Sequence, residues 1–306
     1  MAGFEKIKIH LIMISILIPI YNYKVIDLAK DLLVSCHKAN VNFEIIFVDD
    51  GSNVQYLRQN DPLNHMEGVQ YTVLPKNIGR SAIRNLLARA SKFDFLLFLD
   101  CDGKLLDEDF ILNYLPYLLK DTVVSGGRIY PKLKVADCEL HWTYGTYKES
   151  KSALDRNKVP YVNFHSNNFL VPRNIMLQFP FDESIVTYGF EDTLWANQLS
   201  KHNIKMLHID NPIIHQGLEK NSVFLSKTKW AIENLVELNV KGIVLDTGIE
   251  KLYGILKKWG CHQFVGSILN NMQIQISKQL CSSHPRLFLF QLYKLGLYIH
   301  LRNSRR

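Results

Sequence analysis

The sequence predicts an α/β protein: a Rossmann-like, mainly parallel central sheet followed by a C-terminal helical extension. Three observations carry this prediction. Short apolar runs alternate with helical patterns, those runs show no in-out alternation, and strand signals stop beyond about Leu218. A parallel strand covered by helices on both faces has no solvent side, so it reads as a continuous apolar stretch.

In chain order, the first apolar run is Ile9 to Tyr21, with its strand at Ile14 to Ile18. It contains His10 and Ser15, is interrupted by Pro19, and falls short of the ~20 apolar residues that span a bilayer. Lys6 and Lys8 could open a secretory signal, but Tyr21, Asn22 and Tyr23 stand where a cleavage site needs small residues. The run therefore reads as a buried strand, and the expected location is cytoplasmic. Val25 to Ala39 has a helical pattern, Phe43 to Val48 is the second strand, and Val69 to Leu74 adds another. Gly79 to Ala90 is helical and Phe93 to Leu99 closes the βαβ series. From Ser125 to Pro180 the chain is irregular and rich in Gly, Pro, Tyr and Asn, which suits a substrate-shaping region. The expected division is a domain over 1–220 and a helical extension over 221–306.

At 306 residues and 47% hydrophobic, the chain can bury one large core with an appendage. A net charge of +7 favours anionic partners. Nucleic acid ranks low among them, because the arginines form no aromatic-interleaved stripe outside the tail. The five cysteines (36, 101, 138, 261 and 281) have neither zinc spacing nor an even disulfide set, and fit a reducing compartment.

In a parallel sheet, ligands bind beyond the carboxyl ends of the strands. Here those ends are polar: Tyr21-Asn22, Asp49-Asp50-Gly51-Ser52 and Asp100-Cys101-Asp102-Gly103. Asp100 and Asp102 could face one space and hold Mn2+ or Mg2+, which take one or two carboxylates and complete their shell with water and phosphate oxygens. Asp102-Gly103 could equally be a turn. Asp49 and Asp50 could receive hydrogen bonds from a base or ribose, or cap the next segment. Two acidic strand ends in one sheet favour a nucleotide with its metal. Arg80 and Arg84, four residues apart on one helix face near its N-terminus, make an anion site or a solvated basic face.

Glu191-Asp192 opens a helical pattern. It either complements the helix dipole or supplies a general base, Asp192, whose proton affinity Glu191 would raise and the helix N-terminus would lower. His215 is a loop histidine that could complete a metal shell beside Asp102. His165, Asn167 and Asn168 either hydrogen-bond sugar hydroxyls or enter a buried strand.

Taken together, these segments resemble family 2 of the inverting glycosyltransferases, with the nucleotide-diphospho-sugar transferase (glycosyltransferase A) fold. The resemblance covers roughly residues 13 to 218. It is carried by Ser15 to Asn22, Val48 to Ser52, Asn77-Ile78-Gly79-Arg80 with Arg84-Asn85, Phe98 to Asp102, and Gly189 to Asp192. It implies donor contacts from Pro19, Tyr21, Asp49, Asp50, Asn77, Arg80, Arg84 and Asp100, with Tyr21, Asp49 and Asp50 holding the nucleoside. It also implies a metal at Asp102, with His215 matching a ligand position of some relatives, and a base at Asp192. His165, Asn168 and Glu191 would face sugar or acceptor. The implied reaction is a one-step displacement with inversion, from a UDP-sugar to a glycan or lipid-linked hydroxyl, of hexosyl or N-acetylhexosaminyl type, in cell-surface polysaccharide synthesis. The family's Gln-x-x-Arg-Trp motif is absent after Asp192, which speaks against a processive synthase.

A dehydrogenase is discarded because no Gly-x-Gly-x-x-Gly follows the first strand. A sugar nucleotidyltransferase would want a Gly-rich basic loop where Pro19 to Tyr23 stands, and a non-catalytic binding relative would tolerate loss of Asp102 or Asp192. In the tail, apolar residues from Leu287 to Leu301 share a segment with Arg286, Lys294, Arg302, Arg305 and Arg306. This reads as a helix packed on the domain or as a peripheral contact with the inner face of a membrane.

Overall fold

The computed structural model describes residues 13–185 and 187–304. Its strands are β1 (Met13–Ile20), β2 (Asn42–Asp49), β3 (Val69–Val73), β4 (Phe95–Leu99), β5 (Gly103–Lys104), β6 (Thr122–Ser125), β7 (Arg128–Ile129), β8 (Asn168–Pro172), β9 (Lys205–His208) and β10 (Ile213–His215). The main helices between them are α1 (Ile26–Ala39), α2 (Val54–Asn60), α3 (Arg80–Ala90), α4 (Glu139–Tyr144), α5 (Ala153–Asn157), α6 (Arg173–Gln178) and α7 (Glu191–Lys201). Beyond β10 the described chain is helical: α8 (Asn221–Val240), α9 (Gly248–Lys258), α10 (His262–Asn271), α11 (Gln273–Leu280) and α12 (Leu287–Ser304).

The expected α/β architecture is present. The strands expected from apolar runs are β1 to β4, and the two expected helices are α1 and α3. The part of the first run from Ile9 to Ile12 lies outside the described residues. Seven strands form one sheet in the order β3-β2-β1-β4-β8-β6-β9. β1, β2, β3 and β4 are parallel, β8 runs antiparallel between β4 and β6, and β6 pairs parallel with β9.

Register sets the site. Ile20 is opposite Asp49, Asp49 is opposite Val73, and Leu17 is opposite Phe98, so β1, β2 and β4 end along one edge. Because the pleat has period two, alternate residues feed two cores. Ile16, Ile18, Phe47 and Leu97 join α1 on one face, while Leu17, Val48, Leu96 and Phe98 join α3, α6 and α7 on the other. The one acid in the middle of these strands, Glu44, is buried, and it accepts hydrogen bonds from Ser15 Oγ (2.6 Å) and the Lys92 amide (2.6 Å).

A third core joins the helices after β10 to Leu140 of α4 and to Ile185. Within α12, Phe290, Leu295, Leu297, Tyr298 and Ile299 are buried in it. The tail helix therefore packs most of its apolar residues on its neighbours, while Phe288 stays in solvent. No helix among the described residues is long and apolar enough to cross a membrane.

Candidate active site

A cavity of about 450 Å³ opens at the shared strand edge. Pro19 and Tyr21 after β1, Asp50 after β2, Asn77 with Arg80 and Arg84 at the start of α3, and Asp100 with Asp102 after β4 all line it. Asp49, His165, Asn168, Glu191, Asp192 and His215 do not.

The wall beside β2 is built from hydrogen-bonded loops. Asp50 uses both carboxylate oxygens, accepting from the Ile78 amide at 2.7 Å and the Gly79 amide at 3.1 Å. Gly51 sits at φ +73°, and a Cβ there would meet the Lys76–Asn77 backbone at 2.9 Å, so only glycine lets these loops close this far. Asp49 is wholly buried and accepts from the Ser52 amide at 2.7 Å. Its place is inside the wall that shapes the cavity.

Asp100 is held by two arginines one helical turn apart. Arg84, 1% exposed, donates from Nη2 to Asp100 Oδ1 at 2.7 Å, and Arg80 reaches Oδ2 at 3.4 Å. Arg80 also pairs through Nε with Glu191 Oε1 at 3.0 Å, and its guanidinium lies 5.3 Å from the Tyr188 ring centroid. The anion site expected of the two arginines is thus already occupied by protein carboxylates. Arg84 is a buried positioning residue, while Arg80, 43% exposed, still faces the cavity.

A small second sheet, in the order β5-β10-β7, explains His215. β10 runs antiparallel to β5 with His215 opposite Gly103, which brings the imidazole Nδ1 to 3.3 Å from Asp102 Oδ1. That oxygen is buried and has no hydrogen-bond partner. Gly217 abuts the same carboxylate, and any Cβ at 217 would collide with it. Burial alone would raise the Asp102 carboxyl, but His215, with the charges of Arg80 and Arg128, holds it below the ordinary carboxylate range. An orphaned carboxylate oxygen beside an imidazole is a donor set that fits a divalent cation. Among the described residues no cluster of three His, Cys, Asp or Glu is placed to hold one. The pair therefore suits an ion that keeps water and phosphate oxygens in its shell.

Asp192 stands at the first turn of α7. Its Oδ1 accepts from the Thr193 amide at 2.7 Å, and its Oδ2 lies 3.6 Å from His165 Nδ1. Burial pushes this carboxyl up, but His165 and the Thr193 amide prevail and bring it down to about 2. Glu191 does not raise it, because its carboxylate is turned away to Arg80 and to the Gly189 amide at 3.1 Å.

Asn168, expected to face sugar, is corrected by the structure. It is wholly buried, donates to the carbonyls of Gly127 (3.0 Å) and Asn211 (2.9 Å), and accepts from Tyr114 Oη at 2.6 Å, so it ties β8 to the neighbouring loops. Its neighbour Asn167 is also buried, yet its side-chain amide has no protein partner on either atom.

Several residues of the site were not reached by reading the sequence. Arg128 of β7 donates to Glu149 at 2.7 Å, and its charge reaches both Asp102 and Asp192. Against the upward push of burial, Arg128, with His165, Tyr130 and His141 adding to it, holds Glu149 down at about 2. Tyr130, edge-on, and His141, tilted, pack around His215 with centroids 5.3 Å away. Tyr188, Glu219 and Lys227 line the cavity, and Lys227 comes from α8, so the helical extension supplies part of the site. A partial signal was available for Arg128, a lone cation just after Gly126-Gly127, but its partner lies 21 residues on.

The model of "Glycosyl transferase family 2" matches residues 15–182, more than half the chain. The chain belongs to this family. As a family 2 glycosyltransferase it is 35% identical over 122 residues to a chondroitin synthase of Pasteurella multocida (strain Pm70). That match covers 38% of the present chain and spans only 12% of the length of the relative. Among solved structures, a mannosyltransferase from Pyrobaculum calidifontis, PcManGT, in complex with GDP-Man and Mn2+, superposes with a TM-score of 0.57 at 12% identity. The match covers 95% of this chain and 86% of that one. S. aureus TarS 1-349 in complex with UDP gives 0.50 at 15% identity, covering 96% and 91%. At such identities the likeness is one of fold, and that fold is the glycosyltransferase A type with C-terminal helices.

Proposed function

We propose that this glycosyltransferase moves a hexosyl or N-acetylhexosaminyl group from a nucleotide-diphosphate sugar, UDP-linked in the first instance, to a hydroxyl of a glycan or lipid-linked glycan, with inversion and with Mn2+ or Mg2+. The observation that carries this reading is the convergence of Asp50, Asp100 and Asp102 on one cavity, with the unpartnered Asp102 oxygen beside His215.

In this reading the nucleoside lies between Tyr21 and the Asp50 loop, and Asp100, fixed by Arg84 and Arg80, accepts hydrogen bonds from ribose or sugar hydroxyls. Asp102 and His215 hold the cation, which supplies positive charge for the departing diphosphate. Asp192 takes the proton of the acceptor hydroxyl. The new carbon–oxygen bond forms on the face opposite the leaving group, and the old bond's electron pair leaves with the nucleoside diphosphate. The His165 imidazole and the Asn167 amide are available for sugar or acceptor hydroxyls. The similarity to a chondroitin synthase supports a glycan acceptor, while UDP and GDP-Man in the two related folds leave the base to experiment.

The test is nucleoside diphosphate release from UDP- and GDP-sugars with Mn2+ and glycan acceptors, in wild type and Asp192→Asn. The reading expects acceptor-dependent release by wild type, and a variant that still binds donor yet releases at least ~10³-fold more slowly, at the level of a lost general base. Full activity of Asp192→Asn would remove Asp192 from the role of base.

A further inference from the structure

From Lys251 to Arg306 the sequence contains nine Lys and Arg and not one Asp or Glu. That exceeds the +7 of the whole chain, so the remainder is slightly acidic. The same segment carries large apolar side chains that the fold leaves in solvent: Trp259 is 76% exposed, Phe264 70%, Ile274 69% and Phe288 72%.

These residues are not stray. At 100° per residue, Leu252, Ile255 and Trp259 lie on the side of α9 and its C-cap opposite the buried Tyr253. Phe264 and Ile268 lie on the side of α10 opposite Gly266 and Leu269, which abut Ile299 and Gly296 of α12. Ile274 lies on the side of α11 opposite Ile276 and Leu280. α9 and α10 thus each have one apolar side spent on the third core and a second facing water, and α11 adds Ile274 to the water-facing set. Lys257, Lys258, Lys278 and Arg286 are exposed around these residues, as is Lys251, which pairs with Asp246 at 2.8 Å.

We propose that α9, α10 and α11 form a docking surface for an anionic lipid bilayer, with Trp259, Phe264 and Ile274 entering the interface. The occupant follows from charge and shape together. Apolar anchors ringed by lysines, with Glu250 in the first turn of α9 the one acidic residue on these three helices, match a negatively charged interface. Long lysine side chains can cover apolar surface while their ammonium groups reach the headgroups. The water-facing Trp259 and Phe264 take no part in the third core. Since no described helix can cross a bilayer, attachment is peripheral. The same helical extension supplies Lys227 to the cavity, so docking would hold the cavity at a fixed orientation to the membrane. This inference stands independently of the donor and metal proposed above.

The test is co-sedimentation of the full chain with vesicles of phosphatidylcholine alone and with 30 mol% phosphatidylglycerol, at low and high salt. Two variants accompany it, Trp259→Ser/Phe264→Ser and Lys257→Glu/Lys258→Glu, each checked for unchanged melting temperature. Wild type should pellet with the anionic vesicles and not the neutral ones, and each variant should bind at least ~10-fold less. The proposal is overturned if wild type stays in the supernatant with anionic vesicles, or if both double variants pellet as wild type does. It is equally overturned if sedimentation velocity shows a dimer that Trp259→Ser/Phe264→Ser abolishes, because the water-facing residues would then be an interface between copies of the chain.

Discussion

Arg84 and Asp100 form an ion pair at 2.7 Å in which the guanidinium is 1% exposed and the carboxylate borders the donor cavity. A neighbouring arginine, Arg80, reaches the other oxygen of the same carboxylate from solvent. One acid is therefore clamped from a buried side and an open side, and the two arginines differ in what they contribute.

Arg84→Met should cost stability, because removing one partner of a buried pair costs about 3–5 kcal/mol, much of it from the charge left behind. Arg80→Met removes a guanidinium that is 43% exposed but leaves the buried Glu191 carboxylate with only the Gly189 amide, so it should cost less stability than Arg84→Met while weakening donor binding. Urea unfolding of both variants checks the contrast. Equal losses would mean that burial does not distinguish the two arginines.

Acid should destabilise the fold well above the carboxylate range. Burial and the charge of His215 lower His141 to about 3, and burial, with Arg156 adding to it, lowers His208 to about 4. His208 already uses both nitrogens, one toward Pro160 O at 2.9 Å and one toward Arg156 Nη1 at 3.1 Å, and the second of these must accept. In the unfolded chain both imidazoles titrate near their ordinary value, so between about pH 6.5 and 4 the unfolded state binds more protons. Stability is therefore fully present above about pH 6.5 and is lost as pH falls, by up to about 1.4 kcal/mol per pH unit for each histidine. Melting temperature measured from pH 7 to 4 should fall, with a shallower slope in His208→Asn. A flat profile contradicts the prediction.

Gly217→Ala places a methyl group against the Asp102 carboxylate. Metal-dependent nucleotide binding should weaken by ~10-fold or more, equivalent to about 1.4 kcal/mol, while nucleotide binding without metal stays within ~2-fold. Calorimetric titration with and without Mn2+ separates the two. Equal losses would point to a general distortion of the loop.

The parts of this molecule visible in its sequence are those that depend on local pattern. β1, β2 and β4 are apolar runs because both of their faces are covered, and the acids that follow stand out against them. Asp50, Asp100 and Asp102 could be placed for that reason. Asn168 could not be separated from Asn167, since Asn168 opens β8, Asn167 ends the turn before it, and the partners of that strand lie far off in sequence. The setting of His215 depends on β5, β7 and β10, strands of two or three residues whose pairing leaves no periodic signal. Arg128 and Glu149 lie in the irregular stretch, where position is set by tertiary contacts. The four-residue spacing put Arg80 and Arg84 on one helix face, but only the packing of α3 shows that one is buried.

The central claim is that Asp102, with His215, links a divalent cation to nucleotide-diphosphate binding. The most direct test is the melting temperature of the full chain with UDP, GDP and their sugars, with and without Mn2+, in wild type and Asp102→Ala. Selective binding to the folded state raises the melting temperature. Wild type should show a Mn2+-dependent rise with one nucleotide family, and Asp102→Ala should lose that dependence while folding normally. A nucleotide-induced rise equal with and without Mn2+, or retained in full by Asp102→Ala, would contradict the account.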